Sequence, residues 1–168
     1  MRFIATTWGA CGVAALLLSA ICRLAPRGFA VLSQDLTLVQ WVALALFAIF
    51  MLHAEGYRGF QKKFSPRTAA RVHYLYHNTT PLRALLAPLF CVGYFDASKK
   101  TRIVSTCLTI GIILLIMVVR YCPEPWRGII DFGVTLGLSY GLASYIVFLF
   151  KVFSNKDHGI DPEMPKRG

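Results

Sequence analysis

Four long stretches of this chain carry almost no charge, and they set the class of fold before any motif is considered. Phe3 to Cys22 is 20 residues without a charged side chain, and Leu36 to Ala54 is 19. Ile103 to Val119 is 17, and Gly128 to Phe150 is 23 with Asp131 as its one acid. At a rise of about 1.5 Å per residue, some 20 residues match a hydrocarbon layer about 30 Å thick. A segment in lipid must satisfy its backbone N–H and C=O groups internally, so each run reads as a helix. With 56% hydrophobic and 15% charged residues in 168, a soluble fold would leave large apolar patches bare. The expected fold is all-α and polytopic: four transmembrane helices in an up-and-down bundle over residues 1–150, with a polar tail at 151–168.

The punctuation agrees with four spans. The first run begins beside the N-terminus behind a lone Arg2, and its apolar part is longer than that of a signal peptide. Arg23 follows the small-residue pattern Ala20-Ile21-Cys22, so an uncleaved signal anchor is expected. Arg23 to Asp35 reads as a loop, because Pro26 and Gly28 are turn formers. Trp41 stands at the start of the second run. The turn from Tyr121 to Arg127 carries Pro123, Pro125 and a second interfacial residue, Trp126. The tail, with Gly159, Pro162 and Pro165, is expected to be disordered.

Between the second and third runs lies the basic segment Gly56–Arg102. It holds Arg58, Lys62, Lys63, Arg67, Arg71, Arg83, Lys99, Lys100 and Arg102 against Asp96, a net +8 of the chain's +10. Lys and Arg are retained on the cytoplasmic side of a membrane. This segment and both termini are therefore expected to be cytoplasmic, with the protein in the plasma membrane (the inner membrane, if bacterial). Orientation accounts for the charge, so nucleic acid is not an expected partner.

Within the segment, Ser65-Pro66 reads as an N-cap with proline at the first helical position. A helix from Pro66 to about Asn78 gathers Ala69, Val72, Leu75 and Tyr76 on one arc, with Arg67 and Arg71 on the remainder. Such a basic amphipathic helix either lies in the headgroup layer or packs on the bundle's cytoplasmic end. Leu82 to Phe95, broken by Pro88 and Gly93, is too short to span and is expected to be interfacial or re-entrant.

Several constellations stand out. Gly133, Gly137 and Gly141 repeat every fourth residue, and Gly9 and Gly12 give the first run a small-residue side. Small residues let membrane helices approach closely, so these seams are expected to meet, with a homodimer seam as the rival. Asp131 needs a partner inside a span, and Arg120 or Arg127 is expected to supply it. His73 and His77 are spaced i, i+4 and could, with His53 and Glu55, surround a metal. Three histidines without an HExxH-type motif make a thin ligand set, so no metal or other cofactor is expected. The simpler role for Glu55 is an ion pair with Arg58. Cys22 and Cys122 fall at the outer ends of their runs, where an oxidising face would allow a disulfide. No GxxxxGK[ST] or GxGxxG occurs, and the GxSxG spacing at Gly137-Leu138-Ser139-Tyr140-Gly141 falls inside the fourth uncharged run rather than on a strand-to-helix turn, which leaves nucleotide hydrolysis and the common hydrolases without local support.

The functional expectation is a non-enzymatic accessory or scaffold protein binding anionic lipid, a membrane-protein partner or a second copy. Arg67, Arg71, Lys99, Lys100 and Arg102 would supply charge, and Val72, Leu75 and Tyr76 would insert. Two alternatives use other residues: a small transporter or channel subunit working through Asp131 or Glu55, and a lipid-headgroup enzyme working through His73 and His77.

Overall fold

A computed structural model of the protein describes residues 2–154 and 161–164. Every regular element among them is helical, and four helical stretches are long and apolar enough to cross a membrane. In order these are α1 (Arg2–Ala30), a 3₁₀ turn (Val31–Ser33), α2 (Leu38–Met51), a π-helical stretch (Leu52–Phe64) and α3 (Ser65–His77). The short α4 (Pro81–Leu85) and α5 (Ala87–Val92) follow, then α6 (Lys99–Val119) and α7 (Trp126–Ser154).

Two helices run past their expected ends. α1 continues through Pro26 and Gly28, where a loop was expected. Gly28 lies against the backbone of Phe132 on α7, so tertiary contact outweighs the turn tendency of these residues. The second run starts at a capping box, in which the Thr37 N–H donates to Gln40 Oε1 at 2.9 Å. Its helix does not stop near Ala54; α2, the π stretch and α3 form one helix of 40 residues, Leu38–His77. Ser65 is accordingly no N-cap: Phe64 and Ser65 both have helical dihedrals, and the Ser65 N–H reaches back five residues to Phe60 O. Pro66, which has no N–H, stands where the wider i→i+5 pattern gives way to the α pattern, so a hydrogen bond is missing only at the changeover.

This composite helix runs beside α7 and parallel to it. Phe47 faces Gly133, Glu55 faces Gly137, Phe60 faces Gly141, and His73 packs edge-on against Phe153. α1 runs antiparallel on another side of α7, with Gly28 near Phe132 at one end and Tyr145 Oη donating to Ala10 O at the other. The first and fourth runs are therefore neighbours, but their glycine seams do not meet. Gly9 faces Leu75, Ala87 and Cys91, and Gly12 faces Pro88, whereas Gly133, Gly137 and Gly141 receive the composite helix. The reason is volume. α5 and the bulky faces of Phe47 and Phe60 fill the space that two bare seams would have closed against each other.

α6 departs furthest from an up-and-down bundle of four. It forms no packed seam with α1, the composite helix or α7. Gly111 has open space where a Cβ would be, and Ile103 to Val118 expose apolar side chains around the helix. Its anchorage is at one end: Ser105 Oγ donates to Val92 O at 2.9 Å, and Tyr94 Oη hydrogen-bonds Thr109 Oγ1. Leu82–Phe95 divides its faces. Ala87, Phe90 and Cys91 join Val72, Leu75, Val13 and Tyr145 in the main core, while Leu82, Leu85 and Leu89 stay exposed. Gly93, at φ 100°, ends α5 in a left-handed turn that disfavours a side chain.

A bulky residue at Gly141 would place its Cβ 2.5 Å from Phe60 Cγ. Gly141→Leu is expected to lower stability by about 1–3 kcal/mol or more through overpacking, read as thermal unfolding in detergent, whereas Gly111→Leu leaves the transition nearly unmoved.

Candidate functional site

The nine cations of the basic segment fall into two sets once folded. The inner set centres on Arg71, whose side chain is completely enclosed. Nε donates to Phe90 O at 2.7 Å; Nη2 donates to Phe95 O at 2.9 Å and Asp96 O at 3.0 Å; Nη1 donates to Pro162 O at 3.1 Å. The guanidinium also lies over the Phe90 ring, 4.3 Å from its centroid. The turn at Gly93 and the left-handed Asp96 (φ 49°) fold the chain back so that these carbonyls converge. A guanidinium has five donors in a fixed fork and suits such a cluster.

Two ion pairs flank it. Arg83 Nε contacts Asp96 Oδ2 at 2.7 Å, and Arg67 Nη1 lies 3.8 Å from Glu163 Oε2. Glu163 also accepts from Thr101 Oγ1, and its carbonyl accepts the Ser98 N–H at 2.9 Å. Residues 161–164 thus lie along the hub, with Met164 against the main core. Disorder was expected across the whole tail; 155–160 and 165–168 lie outside the described residues.

This arrangement corrects the expected lipid contacts. Arg71, Val72 and Leu75 are wholly buried, and only 12% of the Arg67 side chain is exposed. Of the two placements expected for this helix, packing on the bundle is the one found: its apolar face is taken up by α1, α5 and α7. Tyr76 remains exposed. The outer set consists of Arg58, Lys62, Lys63, Lys99, Lys100 and Arg102, all exposed, with Lys62 Nζ over the Tyr57 ring at 4.7 Å.

At the opposite end of α7, Asp131 is nearly buried; its ion pair is with Arg27, which the sequence did not suggest, while the expected Arg127 acts on its charge without forming an ion pair. Arg27 Nη1 lies 3.8 Å from Asp131 Oδ2, and Arg27 Nε lies 3.9 Å from Glu124 Oε1. Arg120 is exposed and forms no ion pair with Asp131, because its helix, α6, stands apart from α7. Arg27 reaches Asp131 only because α1 stays helical past Pro26. That continuation was the missing signal.

The histidines do not assemble with Glu55. His73 and His77 meet edge-to-face at 4.8 Å between centroids, while His53 lies beside Tyr57, several turns back along the same helix. Among the described residues no group of three or more His, Cys, Asp or Glu side chains could hold a metal ion. Glu55 does not pair with Arg58; its Oε2 is enclosed and has no hydrogen-bond partner among the described residues. All five cysteines are free thiols, Cys22 and Cys122 included. Burial pushes the Cys91 thiol up to about 12, against the opposing influence of Arg71.

Replacing Arg71 by Leu leaves its carbonyl partners without their donor. Each hydrogen bond to a charged group contributes about 1.5–3 kcal/mol, so a loss of several kcal/mol is expected. Site-resolved maleimide labelling at neutral pH reads it out: Cys91 is protected in the parent protein and becomes reactive in Arg71→Leu. No protein-family model matches the chain, and no curated protein or solved structure was found to be similar to it.

Proposed function

We propose that the chain is a non-enzymatic integral membrane protein whose exposed basic rim gathers anionic lipid headgroups at the cytoplasmic face. The observation that carries this is the division of the cations. Arg67, Arg71 and Arg83 are absorbed by internal partners, while Arg58, Lys62, Lys63, Lys99, Lys100 and Arg102 remain exposed. Each exposed cation near an anionic membrane surface contributes about 1 kcal/mol of attraction, so the rim acts as a group rather than through one contact.

Orientation rests on the same charge. With the rim cytoplasmic in the plasma membrane, both termini lie on that side and the Arg27–Asp131 end faces outward. Lys99, Lys100 and Arg102 occupy the start of α6, the helix with the least protein around it, so headgroups can approach them from several directions. The exposed Leu82, Leu85 and Leu89 form an apolar shoulder beside Trp8, whose indole N–H donates to Leu85 O at 3.4 Å. A headgroup enzyme built on His73 and His77 finds less support, since Glu55 does not join them.

The test replaces Lys99, Lys100 and Arg102 together with Gln and reconstitutes the protein in nanodiscs of mixed anionic and zwitterionic lipid. Mass spectrometry of retained lipid should show salt-sensitive enrichment of anionic species around the parent protein, reduced several-fold in the variant. Equal enrichment in both would rule the rim out as a lipid site, and loss of a co-purifying acidic protein instead would make the rim a protein-docking surface.

A further inference from the structure

Glu55 is used by neither the basic rim nor the Arg71 hub. It sits in the π-helical stretch Leu52–Phe64 and turns into the seam with α7. Its Oε2 lies 3.1 Å from the position a Cβ on Gly137 would take, with Met51 O 3.3 Å from the same point. Glycine at 137 is what leaves room for the carboxyl. Glu55 itself is half-buried, but its Oε2 is shut off from solvent with neither donor nor cation beside it, a setting that disfavours full negative charge on that oxygen.

Among the described residues no cation pairs with Glu55. On its own helix, Arg58 is exposed and unpaired with it, and the exposed His53 has its ring against Tyr57. Across the seam, α7 presents Gly137 and, one turn on, Tyr140, which packs on Gly56. Asp131, further along α7, is engaged by Arg27, and the Thr135 and Ser139 hydroxyls donate to carbonyls of their own helix. π-Helical segments inside longer helices recur at functional sites.

A groove of about 230 Å³ lies in the same seam, lined by Gln61, Tyr140, Ala143, Ser144, Val147 and Phe148; Glu55 is not part of its wall, but Tyr140, which is, packs on the neighbouring Gly56. At about 30 Å³ per water it accommodates several. Tyr140 forms its wall while covering Gly56, and Tyr140 Oη donates to Gln61 Oε1.

We propose that Glu55 is a reversible proton-binding site, loaded and unloaded through the groove at Tyr140 and Gln61. The carboxyl O–H bond breaks, the proton passes to water in the groove and the carboxylate keeps the electron pair; loading is the reverse. This goes beyond the rim and does not depend on it.

The full chain is reconstituted in zwitterionic vesicles and followed by infrared difference spectroscopy from acidic to alkaline pH, beside carbodiimide labelling resolved by mass spectrometry. The expected result is a protonated-carboxyl band at neutral pH that fades in alkali. It is absent in Glu55→Gln, present in Asp131→Asn, and matched by a carbodiimide adduct on Glu55. Tyr140→Phe should change the rate of adduct formation several-fold. Carboxyl-¹³C glutamate in the parent protein gives the same band by isotope shift, so a poorly folding Glu55→Gln leaves the measurement decisive. A parent spectrum without a protonated Glu55 at neutral pH overturns the proposal, as does a band that never titrates. Protection of Glu55 by sodium at constant pH also overturns it, in favour of a metal-cation site. Because zwitterionic vesicles remove the rim's ligand, a failure here is separate from a failure of lipid binding.

Discussion

The enclosed guanidinium of Arg71 is the constraint around which one end of this molecule is organised. A buried charge is tolerated only when its hydrogen-bonding capacity is met, and here that requirement gathers backbone from distant places. Phe90 comes from α5, Phe95 and Asp96 from the turn beyond it, and Pro162 from the far end of the chain. Phe90 O also accepts the Gly93 N–H at the end of α5, whereas Phe95, Asp96 and Pro162 lie outside any helix. The positions of α5, the start of α6 and residues 161–164 therefore depend jointly on one side chain of α3.

The second organising element is the 40-residue helix Leu38–His77. It carries an apolar first half and a polar second half without a break, and the π stretch is where the two join. α7 accommodates it with glycine at the positions where Phe47, Glu55 and Phe60 press inward. Close packing of this kind is the main source of helix association where lipid removes the hydrophobic drive. It also explains how an acid can be carried into the seam: Gly137 supplies the volume, and the wider helix supplies the turn.

A physical division of labour follows along the length of α7. At one end Asp131 is tied to Arg27; midway Glu55 is enclosed without a partner; at the other end the hub fixes α3 and residues 161–164. α6 stands outside this scheme, tethered at its start by Ser105 to Val92 and by Thr101 to Glu163, and it forms no packed seam with the other long helices. From Ile112 to Val119 its side chains are all large and apolar, which leaves that half of the helix without small residues for close packing.

The sequence by itself determined the class of the protein: long uncharged runs can only be helices if they meet lipid, and their charge flanks suggest an orientation. It also marked several residues that matter, among them Gly133, Gly137, Gly141, Asp131, Glu55 and Arg71, because small residues and charges in apolar surroundings are rare enough to signal themselves. What the sequence could not decide was whom each of these meets. Ser65-Pro66 has the pattern of a helix start but lies within a continuous helix. Val72 and Leu75 have the periodicity of a lipid-facing stripe but face α1 and α5. Arg27 looks like a loop cation but closes on Asp131. Local pattern reports that a face is apolar or that a charge needs a partner; only the tertiary structure chooses the partner, because that choice depends on which volumes fit together across the fold.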